Sequence, residues 1–222
     1  MTSSTAEQDR ILEHTADHVR NALAADATGH DWWHIQRVRD MALRIGQRET
    51  ADLFVVELAA LLHDIADWKF HGGDASAGPR RAAAWLAELG VEQSVIEHVC
   101  AIIAGVSFKG AGVATPMQSL EGQVVQDADR LDALGAIGIA RTFAYGAHAG
   151  NPIHDPGRSP ERHATFDAYK SANGTTINHF YEKLLLLKDR MNTATGRQIA
   201  ESRHAFMEQF LERFFAEWDA EA

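Results

Sequence analysis

Apolar residues recur at steps of three and four along most of the chain, while runs of strict alternation are hard to find. That period belongs to helices with one inward face, and it predicts an all-α bundle. Ile11, Leu12, Thr15, Val19 and Leu23 make the first stripe, on a helix expected over 6–25 that ends before His30. Asp31 can cap the next helix, on which His34, Val38, Met41 and Ile45 share a face, so His34 points inward. Asp52 opens a third helix. From Leu53 to Ile65 it is almost continuously apolar, which predicts the buried centre of the bundle, and it closes on His63 and Asp64.

Two more helices are expected over 75–89 and 93–104, divided by Gly90, followed by a glycine-rich connection that includes Lys109 and stops at Pro116. From Leu120 a single helical face carries Val124, Asp127, Leu131, Leu134 and Gly138, a carboxylate in the middle of an apolar stripe. Prolines 152, 156 and 160 predict an irregular loop over about 146–171. Ile177 to Met191 and Gln198 to Trp218 then form a closing helical pair over about 174–218, the second helix introduced by Thr195 and Gln198 in capping-box spacing. No repeat or linker interrupts the pattern. One domain over 1–222 is expected, with its core over about 30–145.

Composition removes several classes of function. With 21 Lys+Arg against 31 Asp+Glu, the net charge is −10 and no basic run is present, which argues against a nucleic-acid binder and requires a local cation or metal for any anionic substrate. No apolar run reaches the about 18 residues that span a bilayer. The lone Cys100 and the absence of a charged-then-apolar leader point to the cytoplasm. Phe206, Phe210, Phe214 and Trp218 recur at four-residue steps, a core or contact stripe that leaves a homodimer open.

His34, His63, Asp64 and Asp127 are the costly positions, since each is a polar or ionisable group on an apolar face. Brought together, two imidazoles and two carboxylates offer nitrogen and oxygen ligands to a divalent metal, whose charge removes the penalty of burying both acids. With no cysteine in the set, the shell suits Mn²⁺ foremost, or Mg²⁺, Fe²⁺, Co²⁺ or Zn²⁺, better than a closed structural zinc site.

The order His34, then His63-Asp64 in "LLHDIAD", then Asp127 in "VVQDADRLDALGAIGIAR" resembles the HD-domain metal-dependent phosphohydrolases. "GHDWWHIQRV" and "INHFYEKLLLLKDRMNTATGRQIAE" extend the likeness, over roughly His14 to Phe215, to the stand-alone bacterial YedJ/YpgQ-like branch. The resemblance implies an all-helical HD fold and one divalent ion per chain on His34, His63, Asp64 and Asp127. It further implies hydrolysis of a nucleoside triphosphate to a monophosphate and pyrophosphate. One departure is that Val106 precedes Ser107 where related sequences often carry histidine.

Such chemistry needs a proton acceptor and cations beside the metal. Asp67 follows His63 by four and Asp64 by three, so on a continuing helix it shares their face and is the candidate general base. Arg130, Lys69 and Lys109 are the candidate phosphate contacts. The competing readings are a phosphomonoesterase on the same site, a nucleotide-binding regulator without turnover, and an oxidative di-iron enzyme needing two metals.

Overall fold

The computed structural model describes residues 4–24, 31–66, 74, 76–108, 112–161 and 174–221. Among these the regular elements are all helical, in agreement with the all-α expectation. They are α1 (Thr5–Ala22), α2 (Trp32–Glu49), α3 (Leu53–Leu62), α4 (Ala77–Glu88), α5 (Gln93–Val106), α6 (Leu120–Asp132), α7 (Gly135–His148), α8 (Thr176–Glu182) and α9 (Ala194–Trp218), with 3₁₀ turns at Leu184–Leu186 and Lys188–Arg190. No helix among the described residues is long and apolar enough to cross a membrane. The chain clusters into two compact units, 1–108 with 115–128, and 109–114 with 129–222.

In the first unit α3 is the centre, packed against α1, α2 and α5. Eight of its ten residues are buried, as its continuous apolar run predicts. Each fully buried leucine contributes about 1.5–3 kcal/mol of transfer free energy. Glu57 is the exception in this run, and Arg39 of α2 answers it, donating from Nε at 2.7 Å and also from Nη2 to the same Oε1. Asp31 caps α2, its Oδ1 accepting from the backbone N–H of His34 at 2.9 Å. Asp52 caps α3 in the same manner through Phe54 and Val55. Between the two helices Thr50 adopts the left-handed conformation, φ 59°, which turns the chain sharply enough to lay α3 against α2.

The second unit holds α7 packed against α8 and α9. Phe180 sits at its centre, 6.2 Å from Phe143 and 5.8 Å from Phe210 between ring centroids. The sequence pattern carries one helical face from Val124 through Gly138, but the helix breaks after Asp132 and restarts at Gly135. Gly135 has φ +72°, and a Cβ on Gly138 would lie 2.3 Å from the carbonyl oxygen of Ala133, so only these glycines allow the sharp turn. The closing pair is also shorter than its periodicity suggests: α8 stops at Glu182 and 3₁₀ turns follow. The cap of α9 is Thr193, accepting from Gly196 N–H at 2.9 Å, rather than Thr195. His148, expected in the loop, lies in the last turn of α7.

Candidate metal centre

The centre is assembled at two helix ends. His34 stands in the first turn of α2, held there by the Asp31 cap, and is fully buried. His63 is the C-terminal capping residue of α3 and is also buried. Its Nδ1 lies 2.8 Å from the carbonyl oxygen of Ala60. A ring N–H donated to that carbonyl leaves the lone pair on Nε2, the tautomer of a metal ligand. Nε2 faces Nε2 of His34 at 3.2 Å. Asp64 brings Oδ2 to 3.4 Å from His34 Nε2 and 3.6 Å from His63 Nε2.

These separations test the fit to a divalent ion. With metal–ligand bonds of about 2.1 Å, neighbouring ligands lie about 3.0 Å apart at right angles and about 3.4 Å apart at tetrahedral angles. The three atoms match that spacing. Two buried imidazole nitrogens and a carboxylate oxygen converging this closely are the donor set such an ion takes, and its charge offsets their desolvation.

A further carboxylate is available on α6. His34, His63 and Asp129 form a group that could hold a metal ion, with one ligand atom of each within 4.8 Å of the others. Asp127, the expected fourth ligand, is fully buried two residues earlier on α6. Residues two apart on a helix point about 200° away from each other, so the two acids leave α6 on different faces.

The remaining site residues fall as follows. Asp67, Lys69 and Lys109 lie outside the described residues, as do His30, His71 and His163. The helix that would carry Asp67 onto the face of His63 and Asp64 ends at Leu62, and residues 63–66 are turns. Arg130 is buried and its Nη1 donates to the carbonyl of Arg190, which fastens the end of α6 to the 188–190 turn. Val106 is buried at the end of α5. His98 has its Nε2 3.6 Å from Glu121, whose other oxygen accepts from the backbone of Asp52 at 3.0 Å. His18 stacks on Trp85 at 3.9 Å, and His154 lies against the edges of Phe214, Phe215 and Trp218. Trp32 is buried beneath the Arg20 guanidinium, whereas Trp33 is exposed.

The connection after α5 is also fixed. Gln126, fully buried on α6, donates its side-chain amide to the carbonyls of Gly105 and Thr115, both at 3.1 Å. Sequence reasoning passed over Gln126, since a glutamine beside two apolar residues carries no chemical signal of its own. Asp129 was not distinguished from Asp127 either, because α6 is buried on nearly all sides and its apolar spacing does not separate the two acids.

Comparison with known proteins agrees with this geometry. Residues 32–134 match the model of the HD domain. YpgQ of Bacillus subtilis is 42% identical over 194 residues, covering 87% of this chain and 86% of its own. Its crystal structure in complex with ADP has a TM-score of 0.75, covering 95% of this chain and 96% of that one at 35% identity. A crystal structure from Lactobacillus plantarum reaches a TM-score of 0.85 at 40% identity, covering 99% of this chain and 100% of that one. An HD-superfamily hydrolase from Bacillus thuringiensis is 46% identical, with a TM-score of 0.74 over 96% of this chain and 99% of its own. A buried His-His-Asp cradle at the ends of α2 and α3, inside a domain match that begins at Trp32, leads to one assignment: the chain belongs to the HD-domain family of metal-dependent phosphohydrolases, as a stand-alone member of its YpgQ-like branch.

Proposed function

We propose that the chain hydrolyses a nucleoside triphosphate to a nucleoside monophosphate and pyrophosphate. The observation that carries this reading is the convergence of His34 Nε2, His63 Nε2 and Asp64 Oδ2 within 3.2–3.6 Å. YpgQ crystallised with ADP, which supports a nucleotide as the substrate class. One divalent ion, Mn²⁺ foremost, would be held by His34, His63, Asp64 and a carboxylate of α6, with Asp129 in place of the expected Asp127. When bound, such an ion polarises a phosphoryl oxygen and lowers the pKa of water toward neutrality.

The chain's own residues do the rest. The Ala60 carbonyl fixes the His63 ring, and the Asp31 cap fixes the start of α2, so the cradle is in place before substrate arrives. Asp67, three residues after Asp64, is proposed as the acceptor of the attacking water's proton. Water adds to the α-phosphorus, the bond from that phosphorus to the α–β bridging oxygen breaks, and pyrophosphate leaves with the electron pair. Lys69 and Lys109 are proposed as phosphate contacts by their place in the sequence.

The test is product analysis. Dialysed protein reloaded with Mn²⁺ is incubated with a panel of nucleoside tri-, di- and monophosphates. Release of pyrophosphate from triphosphates is expected. Free phosphate from monophosphates would replace the reading with a phosphomonoesterase, and release of neither would leave a nucleotide-binding regulator.

A further inference from the structure

A protein with net charge −10 that takes a polyphosphate needs positive charge close to the reacting group. Arg130 is buried with its guanidinium donating to a backbone carbonyl. Arg39 is committed to Glu57. Arg81 on α4 is placed differently. Its Nη1 donates at 3.3 Å to the carbonyl of Ile65, the residue immediately after Asp64. The residue is exposed, and among the described residues no carboxylate forms an ion pair with it.

The position of this guanidinium is set by packing. The first turn of α4 lies close against the turn that carries the ligands, because a Cβ on Gly78 would be 3.4 Å from the Ala66 carbonyl oxygen. The positive charge of Arg81 is also felt by its neighbours, since it helps to hold the His18 imidazole below its ordinary pKa. One N–H is therefore spent on the Ile65 carbonyl, next in the chain to Asp64, and the exposed side chain keeps the remaining donors of a planar fork.

We propose that Arg81 is a substrate-binding residue that grips the phosphates beyond the scissile bond, and that it selects a polyphosphate tail over a monoester. The identity of the tail rests on the triphosphate reading above, whereas the anion contact itself does not. A guanidinium suits this role because it binds two phosphate oxygens at once, which an ammonium does not.

The experiment measures binding of inorganic tripolyphosphate to the full-length, Mn²⁺-loaded protein by calorimetry, for the parent, Arg81→Gln and Arg81→Lys. Metal content, thermal midpoint, and kcat and KM for triphosphates are followed in parallel. The dissociation constant is expected to rise about tenfold or more in Arg81→Gln and by less in Arg81→Lys. Metal content should stay at the parent level, and KM should rise while kcat stays within about threefold. Unchanged tripolyphosphate affinity in Arg81→Gln overturns the proposal, as does failure of the parent to bind it. Loss of affinity together with loss of metal also overturns it, because Arg81 would then only clamp the turn. If Arg81→Gln does not fold, parent-like affinity in Arg81→Lys is the overturning result. Should the parent cleave no nucleotide while tripolyphosphate binding still depends on Arg81, the triphosphate reading fails and the Arg81 assignment stands.

Discussion

His63 Nδ1 lies 2.8 Å from the carbonyl oxygen of Ala60, one turn earlier in the chain, and this contact decides which ring nitrogen is left for a metal. Replacing His63 by alanine removes the donor and leaves His34 and Asp64 facing each other. The variant is expected to lose at least about a hundredfold in metal affinity, and phosphohydrolase activity with it. Metal analysis after dialysis, read beside the thermal midpoint, separates loss of the ion from loss of the fold.

The two acids of α6 are expected to behave in opposite ways. Asp129→Asn should lower metal content while leaving the apo protein about as stable as the parent. Asp127→Asn should keep the metal and destabilise the fold by about 1–3 kcal/mol, because it alters a fully buried polar group. Urea denaturation of the apo forms, paired with metal titration of each, reads both halves of this prediction.

Asp67→Asn is expected to retain the ion and to slow turnover by about a hundredfold or more, as loss of a proton acceptor does. Turnover equal to the parent would remove Asp67 from the chemistry. The pH–rate profile adds a second readout, since its acid limb should change if this carboxylate titrates there.

Arg39 and Glu57 make an asymmetric pair. The Arg39 side chain is 30% exposed and the Glu57 side chain 11%. Removing Glu57 leaves an arginine that can turn into water, so Glu57→Ala should cost about 1–2 kcal/mol. Removing Arg39 leaves a carboxylate in the most apolar helix, so Arg39→Ala should cost more, about 2–4 kcal/mol. Equal costs in equilibrium denaturation would show that the pair is screened like a surface bridge.

Stability should depend on pH through His18. Burial against Trp85, then the charge of Arg81, hold its pKa below 6.5, while Glu88 acts weakly in the opposite sense. The unfolded chain therefore binds a proton more readily than the folded one, so the contribution of neutral His18 is fully present above about pH 6.5. It is lost as pH falls through the lower folded value. Thermal midpoints of the apo protein at pH 8 and pH 5.5 should differ less in His18→Gln than in the parent.

The helical architecture was legible because three- and four-residue periodicity follows directly from burying one face of a helix. His34 was placed inward on that ground alone, and Asp31 and Asp52 were legible as caps from their position before apolar runs. What periodicity could not supply was the end of α3. Its apolar run continues to Ile65, but the backbone turns after Leu62, and Asp67 lies outside the described residues. The break between α6 and α7 was hidden because Leu134 and Gly138 continue the apolar spacing of α6, whereas the geometry depends on positive φ at Gly135. Arg81 carried no signal, since an arginine on an exposed helical face acquires meaning only from the turn packed against it.

His34, His63 and Asp64 are expected to share one ion. Anomalous diffraction from a crystal soaked in Mn²⁺ tests this most directly. A single strong peak bonded at about 2.0–2.3 Å to Nε2 of His34, Nε2 of His63 and a carboxylate oxygen of Asp64 is the predicted result. A crystal showing no peak there, or a peak whose ligands exclude both imidazoles, would contradict it.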